Sequence, residues 1–320
     1  MSVSSLIEEH WLPAQEARNL KPSTLALYRR AAAAWIVPHI GERDAADVTP
    51  ADVRRLVEIL RTTPTSMGRA GLSARSLQLS VGLLKSAYAF AVESALLERN
   101  PIAVVRRPRV DERSPTTWGV PDARRFLVSL GADPLVAMWA LLLTRGLRRG
   151  EAAGLRWSEV DLDEGCIRVL HTLVVIDGRV CESTPKTKQG RRTVPLDAHL
   201  VSLLCERRRI QDADRARGGS AWKETGYVFT NRFGDRLSPD WVSRRFRKLS
   251  AAAGVPPIRV HDSRHTAASI MLASGVHAKV VQEMLGHSHV DITLGIYGHV
   301  TPTMGREAGE SLTAKLLGPA

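Results

Sequence analysis

The sequence is short of cysteine and has no long apolar run. Its 320 residues include only three cysteines, Cys166, Cys181 and Cys205, without Cys-x-x-Cys spacing. An odd number without paired spacing argues against a disulfide framework or a zinc knuckle and fits a reducing compartment. The N-terminus lacks the basic start and apolar core of a signal peptide, and no apolar run is long enough to span a membrane. We therefore expect a cytoplasmic protein without a membrane partner.

Acidic residues are outnumbered, which makes the chain strongly basic. The formal charge is +12 at pH 7 and the isoelectric point is near 10.2. Residues 1–110 carry 15 Lys and Arg against 10 Asp and Glu, and residues 111–320 carry 30 against 23. Two basic halves are expected if both contact one nucleic acid, although a merely soluble basic protein can have the same composition. The length fits two domains, each large enough for its own core.

Residues 1–104 show only helical patterns. Apolar residues recur three or four positions apart, and each run opens on residues typical of a helix start. Helix starts are predicted at Ser5 (with Glu8 as a capping box), Pro22, Thr49 and Ser73. We expect a compact helical bundle that ends at Asn100-Pro101.

Residues 105–118 carry no amphipathic period and are predicted to be a linker. Pro108 and Pro115 fall within the segment. Three of its cations are clustered, namely Arg106, Arg107 and Arg109. These cations either lie along DNA held between two domains or belong to a solvated tether.

The region 119–300 mixes helical and strand patterns. Helices are predicted over 123–129, 134–144, 148–157, 198–216 and 239–249. Short β-branched runs predict strands over 166–170, 172–176, 192–196 and 227–230, with a hairpin turn at Asp177-Gly178. The expected fold class is mainly α with a small antiparallel β-sheet, in which an α+β domain follows the helical domain.

Six of the ten histidines fall in one stretch of the C-terminal third, starting at His261. His261 and Arg264 are three residues apart, so on a helix they share a face and can converge on one small anion. Gly286 is typical of a helix end and places His287 there, ten residues before Tyr297. A phenol, with an ordinary pKa of about 10, must lose its proton as it attacks, and arginine forks onto phosphate oxygens. This set is what phosphoryl transfer through a tyrosine requires.

The motifs HDSRH, LGHS and IYGH follow one another in an order and spacing that resemble the tyrosine recombinases, also called the phage integrase family. The resemblance implies active-site roles for His261, Arg264, His287 and Tyr297. Ser263 departs from the family, which usually carries an apolar residue there, and should affect packing rather than chemistry. His265 is implied as a packing or capping residue beside the site.

Two further motifs complete the implied site. GLRRGE resembles the first arginine box of the family, which implies that Arg148 is a second phosphate clamp and that Glu151 orients the site. Without the resemblance these two residues would be interpreted as a surface ion pair of little energetic value. The turn PKTKQGRRTVPL resembles the lysine-bearing β-hairpin of the family and implies Lys186 as the general acid for the leaving 5′ oxygen. Lys188, two residues further on, is the rival.

The resemblance also assigns the rest of the chain. Residues 1–104 resemble a core-type DNA-binding domain, although periodicity alone fits any helical bundle. No further N-terminal domain for distant arm sites is expected. Residues 301–320 are expected to form a tail helix that docks on a neighbouring protomer or folds back in cis. DNA contacts are expected from Arg106, Arg107, Arg109, Lys188, Arg191, Arg244, Arg245, Arg247 and Lys248, the last four on a helix face that is otherwise simply solvated.

Three functional hypotheses follow. The first is a phage or mobile-element integrase that acts on double-stranded core sites, as a dimer on one site and a tetramer in synapsis, with a possible directionality factor. The second is a chromosome or plasmid resolvase of the Xer kind. The third is a type IB topoisomerase or an inactive DNA-binding protein. No cofactor is expected, because the bond energy is kept in a 3′-phosphotyrosine, and the histidine spacing does not suit a metal site.

Overall fold

The computed structural model describes residues 1–64, 68, 70–110, 116–185 and 188–286. These residues form two compact units. Residues 1–110 belong to the first, and residues 116–286, apart from the turn Ile176–Gly178, belong to the second. The first is helical and the second is α+β, which confirms the expected fold class. The domain boundaries inferred from the sequence, at 104/105, 118/119 and 300/301, stay predictions.

The first unit consists of helices and turns around one apolar core. Two stretches run through π-helical segments: α1 (Val3–Ser5), π-helix Leu6–Trp11 and α2 (Leu12–Ala17), then α3 (Pro22–Ala31), π-helix Ala32–Ile36 and α4 (Val37–Ile40). A 3-10 turn (Ala45–Asp47), α5 (Pro50–Thr62) and α6 (Ala74–Glu93) follow. The long helix α6 is central, because eight of its residues are buried among the other helices.

Local capping residues explain where these helices begin. Thr49 and Asp52 form a reciprocal capping box, in which the Asp52 N–H donates to Thr49 Oγ1 at 3.2 Å. Ser73 caps α6, as the sequence predicts. The capping box predicted at Ser5 is wrong: Ser2 caps the helix instead, because its Oγ accepts the Ser5 N–H at 3.1 Å.

Both ends of the segment 105–118 are buried within their own units. Val105 is 7% exposed in the first core, and Lys85 Nζ donates to its carbonyl at 2.8 Å. Trp118 is 2% exposed in the second core, and its backbone N–H donates to Thr266 Oγ1 at 3.1 Å. Val105 therefore packs with the first unit and Trp118 with the second.

The second unit contains seven α-helices among its described residues. They are α7 (Val120–Ser129), α8 (Val136–Thr144), α9 (Arg149–Ala153), α10 (Ala198–Gly218), α11 (Pro239–Ala252), α12 (Asp262–Ala273) and α13 (Ala278–Leu285). The strands are β1 (Val160–Asp161), β2 (Cys166–Val169), β3 (Thr172–Ile176), β4 (Arg179–Ser183) and β5 (Arg192–Pro195). An antiparallel sheet has the order β1-β2-β5, with Ile167 opposite Val194, and β3 pairs with β4. Three 3-10 turns lie at Trp157–Glu159, Lys188–Gly190 and Gly219–Ala221.

Two elements differ from the sequence predictions. The helix predicted over 148–157 ends after five residues, at Ala153, and a 3-10 turn follows it. The strand predicted over 227–230 is not formed and has only isolated one-residue bridges. Its backbone is used otherwise, because the Val228 N–H donates to the Leu155 carbonyl at 2.9 Å. Pairing with the loop after α9 has replaced pairing within a sheet.

Helix α8 forms the centre of the second unit. Its residues 137–143 are all buried, and α10 and α12 pack against it. A helix that is apolar all round can only lie inside a core. Consequently the C-terminal end of α8 is fixed beside α12. Gly146 and Arg148, two and four residues after the end of α8, therefore follow a rigidly held helix.

Candidate active site

Glu151 lies at the start of α9 and is bound by the arginine three residues before it. The Arg148 N–H donates to Glu151 Oε2 at 2.9 Å, and Arg148 Nη1 donates to Oε1 at 2.6 Å. The Arg148 side chain is 40% exposed, whereas that of Glu151 is 2% exposed. The interpretation of the pair as a surface ion pair is therefore wrong. A buried carboxylate holds the inner side of an arginine whose outer side reaches solvent.

A second arginine, which the sequence analysis did not assign to the site, binds the same carboxylate. Arg192 Nη2 donates to Glu151 Oε2 at 3.0 Å, and its side chain is 6% exposed. The sequence shows Arg192 only as one more cation of the hairpin turn. Its position opposite Glu151 depends on a contact across 41 residues, and no local periodicity predicts such a contact.

The charges around Glu151 keep it ionised. Burial alone would raise its pKa, but Arg192, followed by Arg148 and Arg264, outweighs burial and holds the pKa of Glu151 below its ordinary value. Arg264 contributes to this effect, and its Nη1 donates to the carbonyl of Gly146, two residues before Arg148. The structure thus brings Arg148, Glu151 and Arg264 into one site.

Arg264 lies in the first turn of α12 and is 2% exposed. Its Nη1 donates to the Gly146 carbonyl at 2.8 Å, and its Nη2 donates to the Leu285 carbonyl. These two acceptors, at the end of α8 and the end of α13, fix the plane of the guanidinium. The neighbouring Ser263 is fully buried, and its Oγ donates to the Val260 carbonyl at 2.7 Å.

Gly146 permits this close packing. Its φ is +61°, and a Cβ at this position would lie 2.3 Å from Cδ2 of Leu285, which is fully buried. We expect Gly146→Ala to lower the free energy of unfolding by about 1–2 kcal/mol from the left-handed backbone and about 1–3 kcal/mol more from overpacking. Thermal and urea unfolding of the whole chain measure the change.

Gly131→Ala is the matched control for this prediction. Gly131 has a φ of +50° and nothing within 4 Å of an added Cβ, so only the backbone cost applies. Equal losses of stability for the two variants would contradict the close contact between Gly146 and Leu285.

His261 stands directly before α12, and the charges of Arg264 and Arg148 act on its ring. Its ring meets the ring of His265 edge-on, with centroids 5.4 Å apart. Although His261 keeps an exposed side, desolvation of the ring, then His265 and Arg264, lower its pKa to about 4, and Arg148 adds to the effect. Burial, with a smaller contribution from Arg264, also lowers the pKa of His265. At neutral pH His261 is therefore uncharged and can accept a proton.

We expect the His261 ring to stay neutral from neutral pH down to about pH 5. Desolvation and nearby positive charge disfavour the imidazolium, so protonation occurs near pH 4 instead of the ordinary value near 6.5. A titration of the histidine ring resonances by NMR, assigned with His261→Gln, measures the midpoint. A midpoint at or above 6.5 for His261 would contradict the desolvation of this ring and the effect of the nearby positive charges on it.

The other three implied catalytic groups, Lys186, His287 and Tyr297, lie outside the described residues. So does the predicted tail helix within 301–320. The structure describes backbone next to two of these groups: the turn Lys188–Gly190, which begins two residues after Lys186, and the end of α13 at Gly286, one residue before His287. Their roles stay predictions.

The structure describes three of the four tyrosines, and two of them have buried phenols. Tyr88 is fully buried in the first unit, and burial raises its pKa. Tyr227 is 3% exposed, donates to Glu182, and has a pKa raised by burial and by that bond. Tyr28 packs against the Trp11 ring in the first unit, with centroids 5.3 Å apart. The fourth tyrosine, Tyr297, stays the predicted nucleophile.

Most of the side chains expected to contact DNA are exposed. The exposed ones are Arg106, Arg107, Arg109, Arg191, Arg244, Arg247 and Lys248. Arg245 differs, because its Nη2 donates at 2.9 Å to Asp133, whose side chain is 7% exposed. This ion pair fixes α11 to the start of α8 and makes Arg245 a poorer phosphate ligand than its neighbours. The Lys188 side chain lies outside the described part.

Within the described ranges, no three His, Cys, Asp or Glu side chains are grouped as metal ligands. Among those same residues, none of the helices combines the length and the apolar character that crossing a bilayer requires.

Comparisons with known proteins identify the family of the chain. A family model described as the phage integrase family matches residues 132–304. The XerC-like tyrosine recombinase of Caldanaerobacter subterraneus subsp. tengcongensis is 32% identical over 260 residues, which cover 76% of this chain and 66% of that protein, just under two thirds of its length. Tyrosine recombinase XerC of Xanthomonas campestris pv. campestris is 32% identical over 305 residues, covering 92% of this chain and 84% of that protein.

A solved structure shares the fold. The Tn1549 transposon integrase, determined in complex with transposon right end DNA, superposes with a TM-score of 0.76 over 98% of this chain and 100% of that one. The two sequences are 22% identical. This likeness supports the fold, and the side-chain geometry above supports the chemistry.

Proposed function

Because the chain belongs to the phage integrase family, the tyrosine recombinases, which break and rejoin DNA, we propose that it recombines mobile-element DNA at specific core sites through Tyr297. The observation that supports this most is that Arg148 pairs with the buried Glu151 while Arg264 binds the carbonyl of Gly146, two residues before Arg148. Both arginines also lower the pKa of His261. Two cations can stabilise the negative charge of a phosphodiester under attack, and a neutral base can accept the proton of the attacking phenol.

In the proposed reaction, Arg148 and Arg264 bind the non-bridging oxygens of the scissile phosphate. The Tyr297 oxygen attacks phosphorus while neutral His261 takes its proton, and His287 is a further donor to the phosphate. The bond from phosphorus to the 5′ oxygen breaks, and Lys186 protonates that oxygen, with Lys188 as the alternative. The product is a 3′-phosphotyrosine and a free 5′ hydroxyl. A 5′ hydroxyl from a second strand reverses these steps and restores the diester without ATP.

The same proposal covers the partners. Residues 1–104 form the second DNA-binding surface, and the exposed cations, Arg191 among them, bind the backbone of core-site DNA. Exchange of both strands of two duplexes needs four active sites, so a dimer on each site pairs into a tetramer, joined by the tail 301–320. The protein works at the nucleoid in the cytoplasm of a bacterial host, and a directionality factor can select integration or excision.

The test uses nicked duplexes tiled across the DNA that flanks the gene, because an element that moves its own gene must carry recombination sites beside it. A nick next to the scissile phosphate releases a short strand and traps the adduct. We expect a protein–DNA adduct that survives denaturation, attached through the 3′ phosphate. An adduct on a 5′ phosphate, or cleavage without any adduct, would overturn the proposal.

A second candidate, resolution of the Xer kind, is favoured by the 32% identity to XerC over 92% of the chain. A resolvase recombines two copies of one site, whereas an integrase joins an element end to a different target. Plasmids that carry either pair of sites distinguish the two functions. Relaxed plasmid without recombinants would instead indicate a topoisomerase.

A further inference from the structure

Arg192 is bound at the junction of three elements that carry parts of the proposed site. Besides its bonds to Glu151, its Nε donates to the Met284 carbonyl at 2.6 Å and its Nη1 donates to the Gly190 carbonyl at 3.1 Å. Met284 lies in the last turn of α13. Gly190 ends the 3-10 turn in the connection from β4 to β5, two strands that belong to different sheets. This connection, residues 184–191, is called the hairpin turn below because the sequence predicts it as the lysine-bearing hairpin. One guanidinium therefore joins the hairpin, α9 and α13.

The backbone next to Arg192 is shaped for this contact. Gly286 ends α13 with a φ of +68°, and a Cβ there would lie 2.6 Å from the Gln189 carbonyl oxygen and 3.0 Å from Cδ of Arg192. A residue with a side chain would push the end of α13 away from the hairpin. Gly286 thus allows the end of α13 and the hairpin turn to meet at Arg192.

The ion pair with Glu151 gives this junction a fixed position. A buried carboxylate with two arginine partners has little freedom, because moving either arginine away breaks charge-assisted hydrogen bonds that water does not replace inside the protein. Glu151 therefore binds both Arg148 and Arg192, the residue that contacts the hairpin turn. If the hairpin turn moves away from Glu151, Arg192 must break these hydrogen bonds, and its side chain is only 6% exposed to solvent.

We infer that Arg192 is a positioning residue that holds the hairpin turn, and with it the general-acid lysine at 186 or 188, against the scissile phosphate. The inference rests on the proposed function, since it names what places the proton donor. Arg192 does not touch the reacting atoms. Its effect is transmitted through the Gly190 carbonyl to a lysine two to four residues earlier in the chain.

The test separates proton donation from the other steps by changing the leaving group. In a duplex whose scissile 5′ oxygen is replaced by sulfur, the phosphorus–sulfur bond breaks and a thiolate leaves with the electron pair. A thiol has an ordinary pKa of about 8.5, so its thiolate leaves without a proton from lysine. A defect in placing the acid disappears on this substrate, whereas a defect in phosphate binding or in the nucleophile persists.

We expect Arg192→Lys to cleave the ordinary nicked core-site duplex about 100-fold more slowly than the wild type, the size of loss that follows a displacement of about 1 Å. On the sulfur duplex its rate should return to within a few fold of the wild type, as for Lys186→Ala or Lys188→Ala, whichever lysine is the acid. Glu151→Gln, which loosens Arg148 as well, should stay slow on both duplexes. Arg209→Lys, whose side chain is 72% exposed and pairs with Glu206, is the control and should cleave both at the wild-type rate.

Each outcome decides the inference. If Arg192→Lys is equally slow on both duplexes, the inference is wrong. It is also wrong if this variant cleaves the ordinary duplex as fast as the wild type. Melting curves confirm that the variant is folded, and Arg192→Gln replaces it if it is not. Failure of the wild type to form an adduct on either duplex contradicts the proposed function, which distinguishes that failure from a failure of the role given to Arg192.

Discussion

Replacement of Tyr297 by phenylalanine should abolish the covalent DNA adduct and leave DNA binding unchanged. The variant lacks only the oxygen that forms the new bond to phosphorus, so the loss of rate should be at least about 10⁴-fold. Binding depends on cations distributed over both units and should be retained. Denaturing gels with the nicked core-site duplex measure the adduct, and gel shifts at matched salt measure binding.

Tyr227→Phe is the control for this variant. It removes the hydrogen bond from Tyr227 to Glu182 but no group of the proposed site, so the adduct should form. Wild-type adduct yield from Tyr297→Phe would show that another side chain is the nucleophile and would refute the assignment.

Arg264→Lys should slow cleavage by about 10² to 10³-fold, as removal of one oxyanion donor does in other enzymes. Lysine keeps the charge but cannot reproduce the planar fork that the carbonyls of Gly146 and Leu285 orient. The rate of adduct formation at saturating DNA measures the effect. Because Arg264 is buried, unfolding curves are needed to separate a rate effect from a loss of folded protein.

Arg259→Lys offers a matched comparison five residues earlier. Arg259 is 78% exposed and pairs with Asp262, an ion pair that lysine can keep. We expect a near wild-type rate from this variant. Equal rates for the two lysine variants would contradict a phosphate-binding role for Arg264.

Local spacing in the sequence predicts which side chains pair, whereas the family resemblance alone implied the site roles of Arg148 and Glu151. Arg148 with Glu151 and His261 with Arg264 are each three residues apart, and helix starts at α9 and α12 bring each pair to one end of an element. The stop of α13 at Gly286 is likewise predicted by a glycine that adopts a positive φ. Such features are fixed by the covalent chain and need no knowledge of the tertiary fold.

Features that depend on distant contacts are not predictable in this way. The burial of Glu151 and its second partner Arg192 result from packing of the hairpin on α9 and α13. The loss of the strand predicted over 227–230 has the same kind of cause, since the loop after α9 takes the Val228 N–H. In both cases a tertiary partner decides between structures that the local pattern allows equally.

The most direct test of the central claim identifies the residue that carries the DNA. The trapped adduct is trimmed with nuclease, digested with trypsin and sequenced by mass spectrometry. We expect one nucleotide-bearing peptide, with the modification on Tyr297. A nucleotide on Tyr28, Tyr88 or Tyr227, or on a serine, would contradict it.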